Sequence, residues 1–430
     1  MPETISVQCC IAGGGPAGMM LGLLLDRAGV SVLVLEKHAD FLRDFRGDTL
    51  HPSTLEIMHE LGVLERFLRL PHQKVMRINA RFGDLEFTVA DFSHVPTRCR
   101  YIAFMPQWDF LNFLVDVGSQ YPTFQVRMSA EVTDLIESNG SVVGLRAETA
   151  MGPLYVRTAL VVGADGRHSI VRKRAGLSVQ EFGAPMDVLW FRLSRRADDP
   201  VDPMGRFDAG RIFIMLNRGD YWQCGFIIAK GTLAEVPAQG LPPFRESIAK
   251  LAPFAADRVH ELQDWEPIKL LTVQVDRLRQ WYKPGLLCIG DAAHAMSPVG
   301  GVGINLAIQD AVAAANVLAQ PLRDGRVTEA DLAKVQARRA WPTEMTQRVQ
   351  LIVQNRIIRQ VLDSKVQMTP PYALRLMARF PFLRRIPGRM IGLGLRLSMC
   401  GHQSAKAEDR VYVSVTCSMA GNPLNPQLFR

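Results

Sequence analysis

A glycine-rich turn near the start of the chain constrains its fold more than any other feature. The apolar run Val7–Ala12 leads into Gly13-Gly14-Gly15-Pro16-Ala17-Gly18, and Met19–Leu35 follows with the composition of a helix and a second strand. The first glycine of this turn permits a tight reversal, the third lets the backbone approach a pyrophosphate, and the last lets the helix pack closely on the sheet. Phosphate oxygens would then meet the N–H groups at the helix start. The sequence therefore predicts an α/β fold that begins with a Rossmann-like nucleotide-binding βαβ unit.

An acidic residue at the end of the second strand indicates which nucleotide this unit binds. Glu36 stands eighteen residues after Gly18. A carboxylate at this point can accept hydrogen bonds from both ribose hydroxyls of an adenosine, and it would repel a 2′-phosphate. We therefore expect FAD or NAD at this unit rather than NADP.

Length, charge and cysteine content narrow the class of protein further. A chain of 430 residues can form two or three cores, and 48% hydrophobic with 21% charged residues is ordinary globular composition. The net charge of +8 comes from basic residues spread along the chain without a lysine block, so we expect no nucleic-acid partner. The seven cysteines include no Cys-x-x-Cys pair, and no uncharged apolar stretch reaches about 18 residues. We therefore expect a cytoplasmic protein without a signal peptide or a membrane span.

A second carboxylate follows a buried strand in the middle of the chain. We predict strands at Leu154–Thr158 and Leu160–Gly163, and the latter leads into Ala164-Asp165-Gly166. Ser169 is placed to cap the short helix that we predict next. Because open α/β sheets bind ligands at the carboxyl ends of their strands, Asp165 is a candidate ligand-binding residue. An Asp-Gly turn without any ligand is the alternative.

A third glycine-containing segment follows a short buried strand predicted at Leu286–Ile289. The strand leads into Gly290-Asp291, and Pro298–Gly303, which we call the glycine loop, precedes a predicted helix. The glycines remove side chains from this loop, so a flat, electron-rich group can approach its backbone. We expect a β-carbon at Gly301 or Gly303 either to collide with that group or to force the backbone out of a glycine-only conformation.

One arginine stands in the loop directly after the second strand. Arg46 could reach a pyrophosphate or lie over a flat ring. A solvated loop arginine is an equally acceptable interpretation.

Changes in composition divide the chain into four parts. Residues 180–275 are rich in predicted strands and in loops that contain proline, and they form a separate sheet that should shelter a substrate. We expect a discontinuous nucleotide-binding domain at 1–75, 99–179 and 276–340, a substrate-binding sheet domain at 76–98 and 180–275, a helical cover at 341–400 and a loose tail at 401–430.

The C-terminal cover has an unusual charge pattern. Between Arg348 and Arg396, ten Lys or Arg accompany one acid, Asp363, and they are interleaved with Leu, Ile, Met and Phe. Such a segment either packs on the main body as a cover or makes weak peripheral contact with an anionic membrane surface.

The three motifs, in this order, resemble the class A FAD-dependent monooxygenases, the para-hydroxybenzoate hydroxylase-like family. The resemblance covers roughly residues 5–340. It implies non-covalent FAD and places the adenosine ribose at Glu36, the pyrophosphate near the first turn, and the adenine near the backbone of Val132. The cofactor-binding residues that the motifs and the resemblance together indicate are Gly13, Gly15, Pro16, Ala17, Gly18, Glu36, Arg46, Gln107, Val132, Asp165, Asp291, Pro298, Gly301, Val302, Gly303 and Asn305.

The resemblance also implies a reaction. NADH or NADPH, bound transiently, would reduce the flavin, O2 would add to form a flavin C4a-hydroperoxide, and an aromatic, quinone-like or polyketide-like small molecule would be hydroxylated or epoxidised. Backbone amides of Gly301–Asn305 would stabilise the anionic reduced flavin, so neither a side-chain nucleophile nor a metal is expected. Two other hypotheses stay open, namely a flavin-dependent reductase or dehydrogenase on the same fold and a non-catalytic flavin-binding accessory protein at a membrane.

Overall fold

The computed structural model describes residues 3–42, 49–366 and 369–400. Arg46 and the expected tail at 401–430 lie outside these ranges.

The described chain contains the following strands in order: β1 (Glu3–Ala12), β2 (Val32–Leu35), β3 (Thr49–Leu50), β4 (Gln73–Val75), β5 (Arg77–Phe82), β6 (Leu85–Asp91), β7 (Ile102–Phe104), β8 (Phe124–Arg127), β9 (Ala130–Ser138), β10 (Ser141–Thr149), β11 (Gly152–Gly163), β12 (Val179–Glu181), β13 (Met186–Ser194), β14 (Met204–Asp208), β15 (Arg211–Asn217), β16 (Tyr221–Ala229), β17 (Lys269–Leu271), β18 (Asp276–Leu278), β19 (Tyr282–Lys283) and β20 (Leu286–Cys288).

The α-helices are α1 (Pro16–Arg27), α2 (Pro52–Glu60), α3 (Leu64–Phe67), α4 (Gln107–Gly118), α5 (Ile170–Arg174), α6 (Glu235–Ala238), α7 (Leu241–Leu251), α8 (Gly303–Arg323), α9 (Glu329–Val353), α10 (Arg359–Asp363), α11 (Tyr372–Arg379) and α12 (Arg385–Leu393). Short 3-10 turns occur at Pro253–Glu261, Gly290–Ala292, Val299–Gly301 and Pro381–Arg384, and a π-helical turn at Gln354–Ile358 joins α9 to α10.

The main sheet carries the nucleotide-binding unit. Its strand order is β19-β20-β11-β1-β2-β8, with β10 and β9 added through β11, and the neighbours from β20 to β8 run parallel. Strands β1, β2 and β11 end in fully buried apolar runs, as expected for parallel strands covered on both faces. Helix α1 packs between this sheet, α4 and α8. The predicted strand-turn-helix-strand arrangement is therefore confirmed.

The second sheet has the order β17-β13-β16-β15-β14-β5-β6. One face packs on α7, where Phe244 contacts Phe191 at 5.7 Å between ring centroids. On the other face, Val188 and Ile212 pack against Ile358 and Val361 of the C-terminal segment. This sheet is thus enclosed between α7 and the C-terminal segment.

Helix α8 lies at the centre of the protein. Residues 299–323 are long and apolar enough to cross a membrane by length and composition, but 72% of their most apolar window is buried inside the protein. The helix packs against α1 and α9, and Ile308, Ala311 and Val312 are buried in the main core. It is therefore a core helix of the fold.

Two local predictions differ from the structure. The strands predicted at Leu154–Thr158 and Leu160–Gly163 are one strand, because β11 pairs with β1 across both predicted ranges, from Glu3↔Leu154 to Ala12↔Gly163. Helix α7 was not predicted, because its prolines suggested a loop. They lie in the first turn, where a missing N–H costs no helical hydrogen bond.

The expected domain division remains a proposal. Helix α9 runs without interruption across the boundary expected between residues 340 and 341. That boundary therefore does not coincide with a break in secondary structure.

Candidate functional site

The candidate site lies at one edge of the main sheet, where four strands end side by side. Ala12 at the end of β1 is paired with Leu35 of β2 and with Gly163 of β11, and Gly163 is paired with Cys288 of β20. Gly13 directly follows β1, Ala164 directly follows β11, and Gly290 stands two residues after the end of β20. Glu36 directly follows β2. Motifs far apart in sequence therefore meet at the edge where open α/β sheets bind ligands.

The first turn is shaped by close backbone approaches. Gly13 has φ +106°, and a β-carbon there would collide with the carbonyl of Ala164, so the first and second motifs touch through this glycine. A β-carbon at Gly18 would collide with the carbonyl oxygen of Gly13. In contrast, a β-carbon at Gly15 would have no heavy atom of the described residues within 4 Å, so the outer side of this glycine is open.

The helix start beside this turn is available to an anion. Helix α1 begins at Pro16 after the N-cap Gly15, and no side chain of the described residues caps it. Its first turn carries no acidic side chain. The N–H groups of a helix start need acceptors, and the macrodipole favours negative charge there. This turn therefore fits a pyrophosphate.

Glu36 is built into the first turn. Its Oε2 accepts a hydrogen bond from the Gly14 N–H at 2.9 Å, and its Oε1 accepts one from the His38 N–H at 3.1 Å. The Ala130 N–H donates to the Glu36 carbonyl at 2.9 Å, which brings the start of β9, and with it Val132, next to this acid. A carboxylate can accept about four hydrogen bonds, so the same group can hold the turn and also bind a ribose.

Asp165 stabilises the start of α5, a structural role that was not predicted from the sequence. Its Oδ2 accepts hydrogen bonds from the N–H groups of Ile170 and Val171, at 2.7 and 3.2 Å. Ser169 caps the same helix, α5, by accepting from the Arg172 N–H at 2.9 Å, as predicted. Burial raises the pKa of Asp165 above its usual value. Any contact of Asp165 with a cofactor remains a prediction.

The Gly290-Asp291 turn is wedged between the two central helices. A β-carbon at Gly290 would lie 3.2 Å from Ala17 of α1 and 3.2 Å from Ala307 of α8. Asp291 follows at the surface of this wedge and is partly exposed. The third motif thus adjoins α1.

Sequence reasoning missed the buried charges behind this turn. Asp310 of α8 accepts from the Gly290 N–H at 3.0 Å, pairs with His294 Nε2 at 2.6 Å and accepts from Arg339 Nε at 2.8 Å. Burial alone would raise the pKa of Asp310, but His294 and Arg339 hold it below its usual value. A histidine four residues after Gly290 and an acid in the following helix were the only signals in the sequence.

The glycine loop is held against β3. Gly300 and Gly301 have φ values of +80° and +61°, and a β-carbon at Gly301 would lie 2.6 Å from Thr49 Oγ1. The Thr49 hydroxyl donates to the Gly301 carbonyl at 2.9 Å. The side chain of Asn305 accepts from the His51 N–H at 2.8 Å and donates to the Thr49 carbonyl at 3.0 Å. Because this side chain also donates to the Gly301 carbonyl at 3.4 Å, it connects the glycine loop to the β3 segment.

The conformational argument made from sequence was wrong for Gly303. Its φ lies outside the left-handed region, and a β-carbon there would meet only Met296, at an ordinary 3.7 Å. For Gly301 the clash is with Thr49, so strain arises within the protein itself. The contact of Pro298, Val302 and Gly303 with a cofactor remains a prediction.

The start of α8 resembles that of α1. Its N-cap is Val302, and no side chain of the described residues caps it.

Gln107, at the start of α4, is partly exposed. Arg46 lies outside the described residues. Within the described ranges, no group of three His, Cys, Asp or Glu could hold a metal ion.

Comparisons with known proteins agree with this geometry. A family model described as an FAD binding domain matches residues 6–349. The 6-methylpretetramide 4-monooxygenase of Streptomyces rimosus is 34% identical over 385 residues, which cover 89% of this chain and 91% of that protein. The dialkyldecalin synthase of Streptomyces rugosporus is 27% identical over 316 residues, and this match covers 70% of the chain but only 63% of that longer protein. The crystal structure of the p-nitrophenol 4-monooxygenase PnpA from Pseudomonas putida DLL-E4 shares the fold, with a TM-score of 0.71 at 20% identity over 90% of this chain and 95% of PnpA.

The chain therefore belongs to the FAD-binding-domain family, and it is a class A FAD-dependent monooxygenase. Its cofactor is FAD, reduced nicotinamide is the reductant, and its other substrates are O2 and a small molecule. The uncapped start of α1, the open side of Gly15 and the fixed Glu36 carboxylate fit the pyrophosphate and ribose of this cofactor.

Proposed function

We propose that this enzyme hydroxylates or epoxidises an aromatic, quinone-like or polyketide-like small molecule. The observation that carries the proposal is an apolar cluster beside the glycine loop, in which Val299 and Trp190 pack against a group that includes Val188 and Ile212 of the second sheet. An apolar and aromatic wall beside the loop suits a flat, apolar substrate. The 34% identity to 6-methylpretetramide 4-monooxygenase supports the polyketide branch of this proposal.

The cofactor contacts that we propose for the main sheet come from the family resemblance, and the uncapped start of α1 and the position of the Glu36 carboxylate support them. The N–H groups at the start of α1 bind the pyrophosphate, and the Glu36 carboxylate accepts hydrogen bonds from the adenosine ribose. Val132 lies near the adenine. Gln107 and Asp291 contact the ribityl chain and the pyrophosphate oxygens.

Two residues are proposed to serve the reductant as well as FAD. Arg46 assists the flavin in meeting reduced nicotinamide, and its replacement by Ala should slow anaerobic flavin reduction more than it weakens FAD retention. Asp165 belongs to the motif that the family resemblance links to both FAD and nicotinamide. Comparing NADH with NADPH in the same reduction experiment determines which reductant the enzyme prefers.

The chain's contribution to chemistry is electrostatic. Bound FAD supplies hydride acceptance from the reductant and transfer of one oxygen atom from O2 to the substrate. The Gly301 N–H donates to the Pro298 carbonyl at 3.0 Å and is therefore not available to the ring. The backbone amides that would donate hydrogen bonds to the negative charge on the reduced ring are those of Val302–Asn305, at the start of α8. Preorganised donors of this kind stabilise developing charge without reorganisation, and losing one typically costs about 2.7–4 kcal/mol.

The experiment that tests the function uses labelled oxygen. We expect substrate-stimulated oxidation of NADH or NADPH when the enzyme meets phenols, quinones or polycyclic polyketides, and one atom of ¹⁸O from ¹⁸O₂ in the product. Product formed without label would support a reductase or dehydrogenase instead.

We further propose that the basic C-terminal face makes weak peripheral contact with anionic lipid. Tyr372, Phe380, Phe382 and Ile386 are 73%, 45%, 60% and 58% exposed around α11 and α12. Residues 372–396 contain six arginines and no acid. Such a face can insert aromatic and aliphatic groups at the headgroup boundary while its arginines meet the anionic surface. A symmetric contact between two copies of this face would instead oppose like charges.

Vesicle binding tests this contact. The protein should bind vesicles that contain phosphatidylglycerol more than vesicles of phosphatidylcholine alone, and salt should weaken the binding. Each Arg near the surface is worth about 1 kcal/mol, so the double change Arg379→Glu and Arg385→Glu should lower partitioning at least roughly tenfold. Lys250→Glu on α7, which covers the opposite face of the second sheet, is the matched control. Binding that is equal for both vesicle types, or a dimer disrupted by the double change, would refute lipid contact.

We infer a cytoplasmic location. It is supported by the state of the cysteines, since the six within the described residues are all free thiols and five of them are buried. Free thiols are typical of a reducing compartment, where reduced nicotinamide is also supplied.

A further inference from the structure

The buried face of α9 changes from apolar to polar as the helix approaches the glycine loop. Its first half buries Leu332 and Val335. Its end presents Gln347 and Gln350, and the π-helical turn that follows presents Gln354, and these three side chains are only 1%, 4% and 0% exposed. Their spacing of three and four residues puts them on one face. Burying a carboxamide without hydrogen bonds is costly, so three in a row require partners. We call these residues the glutamine ladder.

The partners of the glutamine ladder are the backbone groups that lead into the glycine loop. Gln350 Nε2 donates to the carbonyls of Ser297 and Val299, at 2.9 and 2.8 Å, and its Oε1 accepts from the Ser297 N–H at 3.2 Å. Gln347 donates to the Ala295 carbonyl at 3.1 Å, one step earlier along the same segment. Two rungs of the ladder thus fix the backbone from residue 295 to residue 299.

Gln354, the third residue of the glutamine ladder, lies at the start of the π-helical turn. Its Nε2 donates to Ser297 Oγ at 2.7 Å, and the same Oγ accepts the Val299 N–H at 3.2 Å. Ile358, at the end of this turn, packs on the second sheet beside Val188. A single turn of chain therefore contacts both the entrance of the glycine loop and the sheet that we propose as the substrate wall. π-Helical turns of this kind are frequent at functional sites.

We propose that Gln350 and Gln354 are positioning residues that set the direction in which the glycine loop presents its amides to the flavin. Thr49 and Asn305 hold the far end of the loop at Gly301, and the glutamine ladder holds the near end at Ser297 and Val299. With both ends fixed, and with the Gly301 N–H held by the Pro298 carbonyl, the amides from Val302 onward keep one orientation before the ring becomes anionic. This inference rests on the proposed cofactor contact of the loop and adds the residues that tune it.

The test replaces Gln350 with leucine, which keeps the side-chain size but removes every hydrogen bond of its carboxamide. We expect Gln350→Leu to weaken FAD binding roughly tenfold, because a misdirected loop would lose about one net hydrogen bond to the flavin. The midpoint potential of the bound flavin should become more negative. More hydrogen peroxide should be released per nicotinamide oxidised. A purely structural role would lower stability without moving the potential.

The matched control is Gln336→Leu on the same helix. Gln336 accepts from the Trp281 N–H at 3.0 Å and donates to the Arg279 carbonyl at 2.9 Å, so it holds backbone away from the loop. Gln336 is only half-buried, so we expect Gln336→Leu to lower the thermal stability of the apoprotein less than Gln350→Leu does, with no change in flavin potential or coupling. Ser297→Ala, a milder change that removes the Gln354 contact, should shift the potential in the same direction by less.

Three outcomes decide between the two proposals. If Gln350→Leu and Ser297→Ala keep the wild-type potential and coupling, or if Gln336→Leu shifts them equally, the positioning role is refuted. If Gln350→Leu does not fold, Ser297→Ala gives the decision alone. A wild-type protein that binds FAD and incorporates oxygen while the variants behave normally would leave the proposed function intact and reject only this inference.

Discussion

Glu36 combines a structural and a binding task in one carboxylate, because it accepts the Gly14 and His38 N–H groups and lies where the adenosine ribose is expected. Charge-assisted hydrogen bonds are worth about 1.5–3 kcal/mol each, so Glu36→Ala should lower FAD affinity at least roughly tenfold. Fluorescence titration of the apoprotein with FAD measures this. Glu131→Ala, an exposed acid on β9, should bind FAD normally. An unchanged FAD affinity in Glu36→Ala would show that Glu36 only stabilises the turn and does not bind the cofactor.

Gly301 and Gly303 differ in a way that separates strain from cofactor contact. Gly301→Ala places a β-carbon 2.6 Å from Thr49 Oγ1 at φ +61°, and such strain costs about 1–3 kcal/mol. Gly303→Ala meets only ordinary contacts, so the apoprotein should keep its wild-type free energy of unfolding. Urea unfolding of both apoproteins measures the difference. If Gly303→Ala keeps its stability but no longer binds FAD, the flavin ring must lie close to Gly303. Equal destabilisation of both variants would contradict the structure.

His51 should make the protein sensitive to acid. It is fully buried, and its Nδ1 lies 2.7 Å from the Ile391 carbonyl, so this nitrogen carries the proton and donates. Burial lowers the pKa of His51 from 6.5 to about 4, although the Ile391 carbonyl opposes the shift. The lowered pKa means that the unfolded chain binds this proton more readily. The contribution of His51 to the free energy of unfolding is therefore fully present above pH 6.5. It is lost as the pH falls toward 4, and the total loss is about 3 kcal/mol.

Denaturant unfolding at pH 7 and pH 5 checks this linkage. Wild-type protein should lose more stability between the two pH values than His51→Gln, which cannot titrate. His94→Gln, an exposed histidine, should keep the wild-type slope. Equal slopes in His51→Gln and wild type would show that other groups cause the pH dependence.

At the scale of elements, Asp310 joins three parts of the site. It connects α8 to the Gly290 turn, to His294 and, through Arg339, to α9. Removing one partner of a buried ion pair leaves the other charge unpaired, so Asp310→Ala should lower the free energy of unfolding by about 3–5 kcal/mol. Asp310→Asn keeps an acceptor for the Gly290 N–H and should lose less. Glu246→Ala, which breaks the exposed pair with Lys250, should have a much smaller effect. Similar losses at Asp310 and Glu246 would contradict the buried network.

For the whole molecule, FAD should contribute to stability by mass action. A ligand that binds only the folded state adds about 2.7 kcal/mol at one hundred times its Kd. The purified protein should be yellow, removal of FAD should lower its Tm, and added FAD should restore the Tm in a concentration-dependent way. FMN is the control, because it lacks the adenosine that Glu36 is proposed to bind. Apoprotein with an unchanged Tm in saturating FAD would reject the cofactor site.

Local interactions explain which features could be predicted from sequence. The turn after β1 and the Ser169 cap depend on residues within a few positions of one another, and the structure confirms them. The order of the three motifs indicated that they meet. The continuous strand β11 was missed because its continuity comes from pairing with β1, more than a hundred residues away.

The sequence by itself determined the βαβ unit, the glycine-rich backbone segments and the acid at the end of β2, because the conformations and charges that these need are properties of single residues and short spacings. Only the tertiary structure decided which polar side chains the site encloses. Asp310, Gln350 and Thr49 have no local motif, and each acquires its role from a partner brought close by the packing of distant helices and strands. Burial then makes these contacts matter, since a polar group removed from water is stable only with the partner that the fold provides.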